Sequence, residues 1–97
     1  MVFSHIDIFF RDFRLGYGYL KGTASMNGGG IDIWRGCDPK GQIDAIVCTV
    51  DLNKRDSEIK VLIGCTEEEM ARVYQVHNET DLQIGIQIRK DTRELLS

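Results

Sequence analysis

The sequence predicts an α+β domain, mainly antiparallel β, with about six strands in a curled sheet or partly open sandwich and one short helix near residues 67–77. Three observations support this. Apolar and polar residues alternate in several segments, short polar or glycine-rich turns separate most of these segments, and one late segment has helical spacing. The 97 residues suffice for a single compact domain, 1–97, with one modest core.

The first three predicted strands lie in the aromatic-rich part of the chain. Alternation over 3–13 predicts one long strand. The segment 17–26 contains several glycines, which interrupt strands or bend them, and it predicts an irregular second strand. The glycine run at 27–30 supplies residues that a hairpin turn needs. A third strand is therefore predicted over 30–36.

The remaining strands are more regular. Both faces of the segment 42–52 are largely apolar, which is typical of an interior strand that is covered on both sides. The segment 58–65 is predicted to follow it in a hairpin. The segment 82–89 alternates without exception, so we expect its leucine and isoleucine face to be buried and its polar face to be wet.

The helix has a clear start signal. Thr66 precedes Glu69 by three residues, the spacing of a capping box. Met70, Val73 and His77 then recur at steps of three and four, which predicts one apolar stripe. A helix this short is marginal alone, so it must pack on the sheet.

Charge and cysteine usage exclude several classes of protein. The net charge is −3, which is the wrong sign for neutralising many phosphates, so we expect no direct nucleic-acid partner. The acidic excess lies in the second half of the chain and favours a basic protein partner. Three cysteines at wide spacings match no zinc motif, and no metal or cofactor is expected. The sequence begins without a signal peptide and has no apolar run of membrane-spanning length, which together with the cysteine usage predicts a cytoplasmic protein.

Candidate catalytic groups are few. His5 and Asp7 lie two residues apart on one strand, and His77 could join them only through tertiary structure. These three residues are the basis of an alternative hypothesis, a small oligomeric enzyme or ligand-binding subunit whose site is completed at a subunit interface. Among the cysteines, Cys37 is the most reactive candidate, because it lies beside Arg35 in a predicted turn.

The aromatic residues suggest a contact surface. Seven of the eight lie before Gly36, and several share a strand face with charged residues. If those faces are exposed, they have the composition of a protein interface, whereas in a two-layer fold they are buried. A structural component paired through an edge strand is a third possibility.

The leading hypothesis is therefore a non-catalytic protein-binding module. We expect a small acidic inhibitor, such as an immunity or antitoxin protein that neutralises a basic toxin or nuclease. The oligomeric state is left open. The predicted contact residues are Asp7, Asp32, Trp34, Glu67, Glu68 and Glu69.

Overall fold

The computed structural model describes residues 3–10, 13–20, 22–23 and 29–90, with side chains from residue 15 onward. The predicted glycine turn at 27–30 lies partly outside these residues. The described elements are, in order, β1 (Phe3–Phe10), β2 (Phe13–Leu20), β3 (Ile31–Arg35), β4 (Ile43–Asp51), β5 (Asp56–Ile63), α1 (Glu67–Val76) and β6 (Gln83–Arg89). The predicted fold class, α+β with a mainly antiparallel sheet and one short helix, is confirmed.

The predicted first strand, 3–13, is too long. Phe10 pairs with Phe13, so the chain reverses between them, and β2 begins where the prediction still had the first strand. The alternation of apolar and polar residues is interrupted there by Arg11 and Asp12, but no glycine or proline marks a turn. The second strand accordingly starts four residues earlier than Tyr17, the predicted start.

One six-stranded sheet contains all the described strands, in the order β1-β2-β3-β5-β4-β6. Only the β3–β5 pair is parallel, and the other four pairs are antiparallel. The hairpin of β4 and β5 inserts β5 beside β3, so β4 is paired on both edges and β6 forms one edge of the sheet. The interior position predicted for 42–52 is therefore correct.

Helix α1 begins at the predicted capping box. The Thr66 hydroxyl accepts a hydrogen bond from the backbone N–H of Glu69, and the Glu69 carboxylate accepts one from the backbone N–H of Thr66. Met70 and Val73 on the buried side of the helix join Val47 in the core cluster. Because side chains alternate along a strand, this packing covers only one side of the sheet.

The double cover expected for β4 is therefore wrong for the described chain. Val47 on the helix side is fully buried, whereas Val50 on the other side is 50% exposed. Of the two predicted arrangements, the described residues form a single open sheet that holds the helix. No helix among them has the length and apolar character needed to cross a membrane.

Candidate functional site: an apolar sheet face and a polar cleft

Strands β5, β4 and β6 present aliphatic side chains on the side of the sheet that faces away from α1. Directly paired residues share one face of a sheet, so the strand register arranges them in rows. The rows are Val61–Ile46–Ile88, Ile59–Cys48–Ile86 and Ser57–Val50–Ile84. We call the eight apolar side chains of these rows the bare sheet face. None of the eight carries a charge.

The bare sheet face is open to solvent in the described chain. Ile59 is 57% exposed, Ile84 57% and Ile86 62%. Single exposed aliphatic residues are common on soluble proteins, but a contiguous apolar patch marks a contact surface. The three rows are adjacent along the strands, so these residues form one continuous patch. This face therefore has the properties of a surface that binds another protein.

The orientation of β6 is the reverse of the one predicted from its alternation. Its isoleucine side chains lie on the bare sheet face, and its polar side faces α1. Two contacts explain this orientation. A Cβ added at Gly85 would lie 2.9 Å from His77 Cβ, so only glycine allows the close approach of α1. The amide of Gln87 donates a hydrogen bond to the backbone carbonyl of Met70 at 2.9 Å.

Two of the predicted contact residues, Trp34 and Glu69, are buried. Trp34 is 3% exposed and packs on Tyr17 with ring centroids 4.5 Å apart. Glu69 is also 3% exposed, and its carboxylate accepts hydrogen bonds from the backbone N–H groups of Thr66 and Cys37. Both side chains hold the fold together. Neither is presented to a partner, contrary to the expectation.

The other predicted contact residues are dispersed. Glu68 is exposed on the first turn of α1, and Glu67 beside it forms an ion pair with Arg89. Asp32 is half-buried and bonds to the lysine described below. Asp7 lies in β1, and its side chain is outside the described residues. None of the predicted contact residues whose side chains are described belongs to the bare sheet face.

A polar cleft of about 160 Å³ lies on the helix side of the sheet, beyond the C-terminal end of α1. Its walls include Tyr17, Asp51, Asp56, Glu58, Lys60 and His77. The helix ends at Val76, so it does not cover this part of the sheet. The polar cleft and the bare sheet face are therefore on opposite sides of the same strands.

Lys60 is the central cation of the polar cleft. It is 5% exposed, and its Nζ donates hydrogen bonds to Tyr17 Oη at 2.7 Å, Glu58 Oε2 at 2.8 Å and Asp32 Oδ2 at 3.1 Å. Burial by itself lowers the pKa of Lys60, but the hydrogen bonds to Glu58 and Tyr17 outweigh it and raise the pKa overall. The same bond lowers the pKa of Glu58. Lys60 is thus a fixed charge with all three protons bound, and it cannot serve as a base.

His77 is held neutral at the wall of the cleft. Its Nε2 accepts a hydrogen bond from Trp34 Nε1 at 3.1 Å, which places the proton of the neutral ring on Nδ1. Burial, assisted by the charge of Lys60, lowers the pKa of His77 to about 4. Among the described residues, Nδ1 has no hydrogen-bond partner. Neither ring nitrogen is open to solvent, because Nε2 accepts from Trp34 and Nδ1 is buried.

Sequence reasoning did not identify this cluster. The hypothesis of a His5–Asp7–His77 site cannot be followed, because the side chains of β1 lie outside the described residues. Trp34 and His77 are 43 positions apart, and no spacing rule links them. The alternation along β5 gave no signal for it either. Ile59, Val61 and Ile63 share one side of that strand, so the pattern favours burial of that side, whereas Lys60 on the other side is buried.

The cysteines do not support nucleophilic chemistry. Cys37 is exposed, but the charge of the Glu69 carboxylate beside it raises the pKa of its thiol. Burial raises the pKa of Cys65 to about 12. A reactive thiol needs the opposite shift, toward the thiolate at neutral pH. Arg35, whose charge suggested that Cys37 is reactive, instead donates to the backbone carbonyls of Asp38 and Ile63.

Across residues 29–90 and the described side chains of β2, no group of three His, Cys, Asp or Glu residues is placed to hold a metal ion. The candidate site thus consists of one apolar surface, the bare sheet face, and one charged cleft in which Lys60 is already hydrogen-bonded to neighbouring side chains. No family model, curated protein or solved structure matches this chain.

Proposed function

We propose that the protein is a non-catalytic binding module whose bare sheet face docks a protein that brings an uncharged aliphatic surface. The observation that carries this proposal is the orientation of β6. Three isoleucines of one strand are exposed, although the same strand had a polar side that could have faced water. Alternation of this kind is typical of a strand whose apolar side is buried. A partner supplies the missing cover.

The shape of the bare sheet face supports the same proposal. A hollow of about 310 Å³ lies at one end of the β4–β6 pair, where Ile46 and Ile88 of the bare sheet face form part of its wall together with Ala45 and Arg89 of the opposite side. Concave apolar sites of this kind accept the anchor side chains that carry most of the binding energy at protein interfaces. The face is also rigid, because its rows lie on strands that hydrogen-bond to each other on both sides of β4.

The test uses two substitutions of the same kind at different places. Ile86→Asp puts a charge in the middle of the bare sheet face, and Tyr74→Asp puts one on the exposed side of α1, where Tyr74 is 47% exposed. Tagged wild type and both variants are expressed in the native host, and the chains retained with each are quantified. We expect the same protein to be retained by wild type and Tyr74→Asp and to be lost from Ile86→Asp. Equal retention by all three, or retention of nothing by any of them, would refute the proposal.

The finer hypothesis, an acidic inhibitor of a basic toxin or nuclease, is a second candidate. The polar cleft favours it, because Asp51, Asp56 and Glu58 outnumber the cations among its walls. Charge of this sign accelerates encounter with a basic partner and does so less at high salt. We expect the association rate with the retained partner to fall as salt rises, and Asp51→Asn to reduce that dependence. An association rate that does not change with ionic strength would exclude this candidate, but it would not affect the proposal that the bare sheet face docks a protein.

A further inference from the structure

We propose that the occupant of the bare sheet face is a second copy of this chain, in a symmetric dimer with the two sheets packed face to face. This inference rests on the proposed function, since it names the partner for the same surface. It also restores what the sequence of 42–52 predicts. Both faces of β4 are largely apolar, α1 covers one of them, and the sheet of a second copy covers the other.

The absence of charge in the rows favours a copy over a different protein. In a symmetric interface the same patch is used twice, so a residue on the axis meets itself and any charge there meets a like charge. The bare sheet face carries no charged side chain in its three rows. A patch without charge meets this condition at every position of the axis, whereas a different partner could have matched a charge with its opposite. Interfaces of homodimers are also the more apolar class.

The size of the face suits a dimer. Five of its eight side chains are between 46% and 62% exposed, namely Val50, Ile59, Ile84, Ile86 and Ile88. At about half exposure, these five aliphatic side chains offer roughly 400 Å² of apolar surface. This is about half of the roughly 800 Å² per partner of stable complexes, so the polar rim around the face must supply the remainder.

Cys48 provides a geometric probe of this arrangement. It lies in the middle row, between Ile59 and Ile86, and its thiol is half-buried. Packed sheets are about 10 Å apart, so a two-fold axis through the middle row brings the two Cys48 side chains within reach of a short bifunctional maleimide. Cys37 is the one exposed cysteine of the chain, and it must be replaced in this experiment.

The first experiment is sedimentation of the full chain over a range of concentrations. We expect wild type and Tyr74→Asp to be dimers at micromolar concentration, and Ile86→Asp to dimerise at least about 100-fold more weakly because its carboxylate would be buried in the interface. Circular dichroism checks that both variants are folded. A wild type that stays monomeric overturns the second copy as the occupant. It would not overturn the docking face. That proposal would still be supported if another protein were retained by wild type and lost from Ile86→Asp.

The second experiment is cross-linking of Cys37→Ser with the shortest bifunctional maleimide, because the two Cys48 thiols point into the gap and are closer together than the roughly 10 Å between the packed sheets. We expect a covalent dimer that disappears in Cys37→Ser/Cys48→Ser and in Cys37→Ser/Ile86→Asp. A dimer that sediments as such but gives no Cys48 cross-link would refute the pairing of middle rows. Equal dimerisation of wild type and Ile86→Asp would refute the bare sheet face as the interface.

Discussion

Protonation of His77 is expected to destabilise the folded protein as the pH falls. The folded-state pKa is about 4, because the ring is buried and lies near the charge of Lys60, whereas an unfolded histidine titrates near 6.5. A proton on Nε2 would also meet the Trp34 N–H that now donates to this atom. The unfolded chain therefore binds more protons than the folded one between these two pKa values. Stability is complete above pH 6.5 and is lost as the pH falls toward 4.

The size of the effect follows from the difference between the two pKa values. A difference of about 2.5 units corresponds to about 3 kcal/mol of unfolding free energy once the pH is below 4. By pH 5 about 2 kcal/mol of this is lost, which is a large fraction for a small domain. The hydrogen bond from Lys60 lowers the pKa of Glu58. The contribution of Glu58 to the unfolding free energy is therefore lost at lower pH than that of His77.

Urea unfolding at about pH 7.5 and about pH 5, at one protein concentration, measures this loss. Trp34 is the single tryptophan and contacts His77, so its fluorescence follows the transition. The variant His77→Gln cannot titrate, and we expect its stability to change little between the two pH values. His5→Gln, which removes the other histidine, should retain the wild-type loss. Equal losses in wild type and His77→Gln would refute the assignment of the pH dependence to this residue.

Three further substitutions test the packing by chemical denaturation. Glu69→Ala is expected to cost about 2 to 4 kcal/mol, because it removes the capping box and leaves the part-buried N–H of Cys37 without its acceptor; a cost below 1 kcal/mol would contradict this. Lys60→Met should cost about 3 kcal/mol, since it leaves two carboxylates close together without their cation, and the cost should shrink at low pH. Gly64→Ala should cost about 2 kcal/mol or more and clearly exceed Gly22→Ala, because both have positive φ but only Gly64 has atoms where the Cβ would stand; equal costs would show that φ alone matters.

The elements of this fold were predictable where one local signal decides the structure. The capping box at Thr66 sets the start of α1, and the turn after β3 follows from the residues around Pro39. The reversal between β1 and β2 was missed because no glycine or proline marks it, although Arg11 and Asp12 interrupt the alternation. Likewise, β5 sits between β3 and β4 through pairings that are distant in sequence, and periodicity carries no information about strand order.

The candidate site was less predictable than the fold, for a physical reason. Alternation in β6 shows that one side of the strand is apolar but does not show what covers that side. The helix packs on the opposite side, because the missing Cβ of Gly85 leaves room there for His77. The polar cleft depends on Lys60 and His77 meeting residues more than 25 positions away. Trp34 was expected on the surface because Asp32 lies on the same face of β3. The hydrogen bond from Lys60 allows Asp32 to be half-buried, so both residues lie on the face that the core covers.

Methyl accessibility in solution is the measurement that shows whether a second copy of this chain covers the bare sheet face. A soluble paramagnetic agent is added to the full chain at micromolar concentration, and the broadening of the Ile59, Ile84 and Ile86 methyl signals is compared with that of Val73, which is fully buried. We expect the three isoleucines to be protected nearly as well as Val73, and Ile86→Asp to expose the remaining two. Isoleucine signals that broaden in wild type as strongly as in this variant would contradict it.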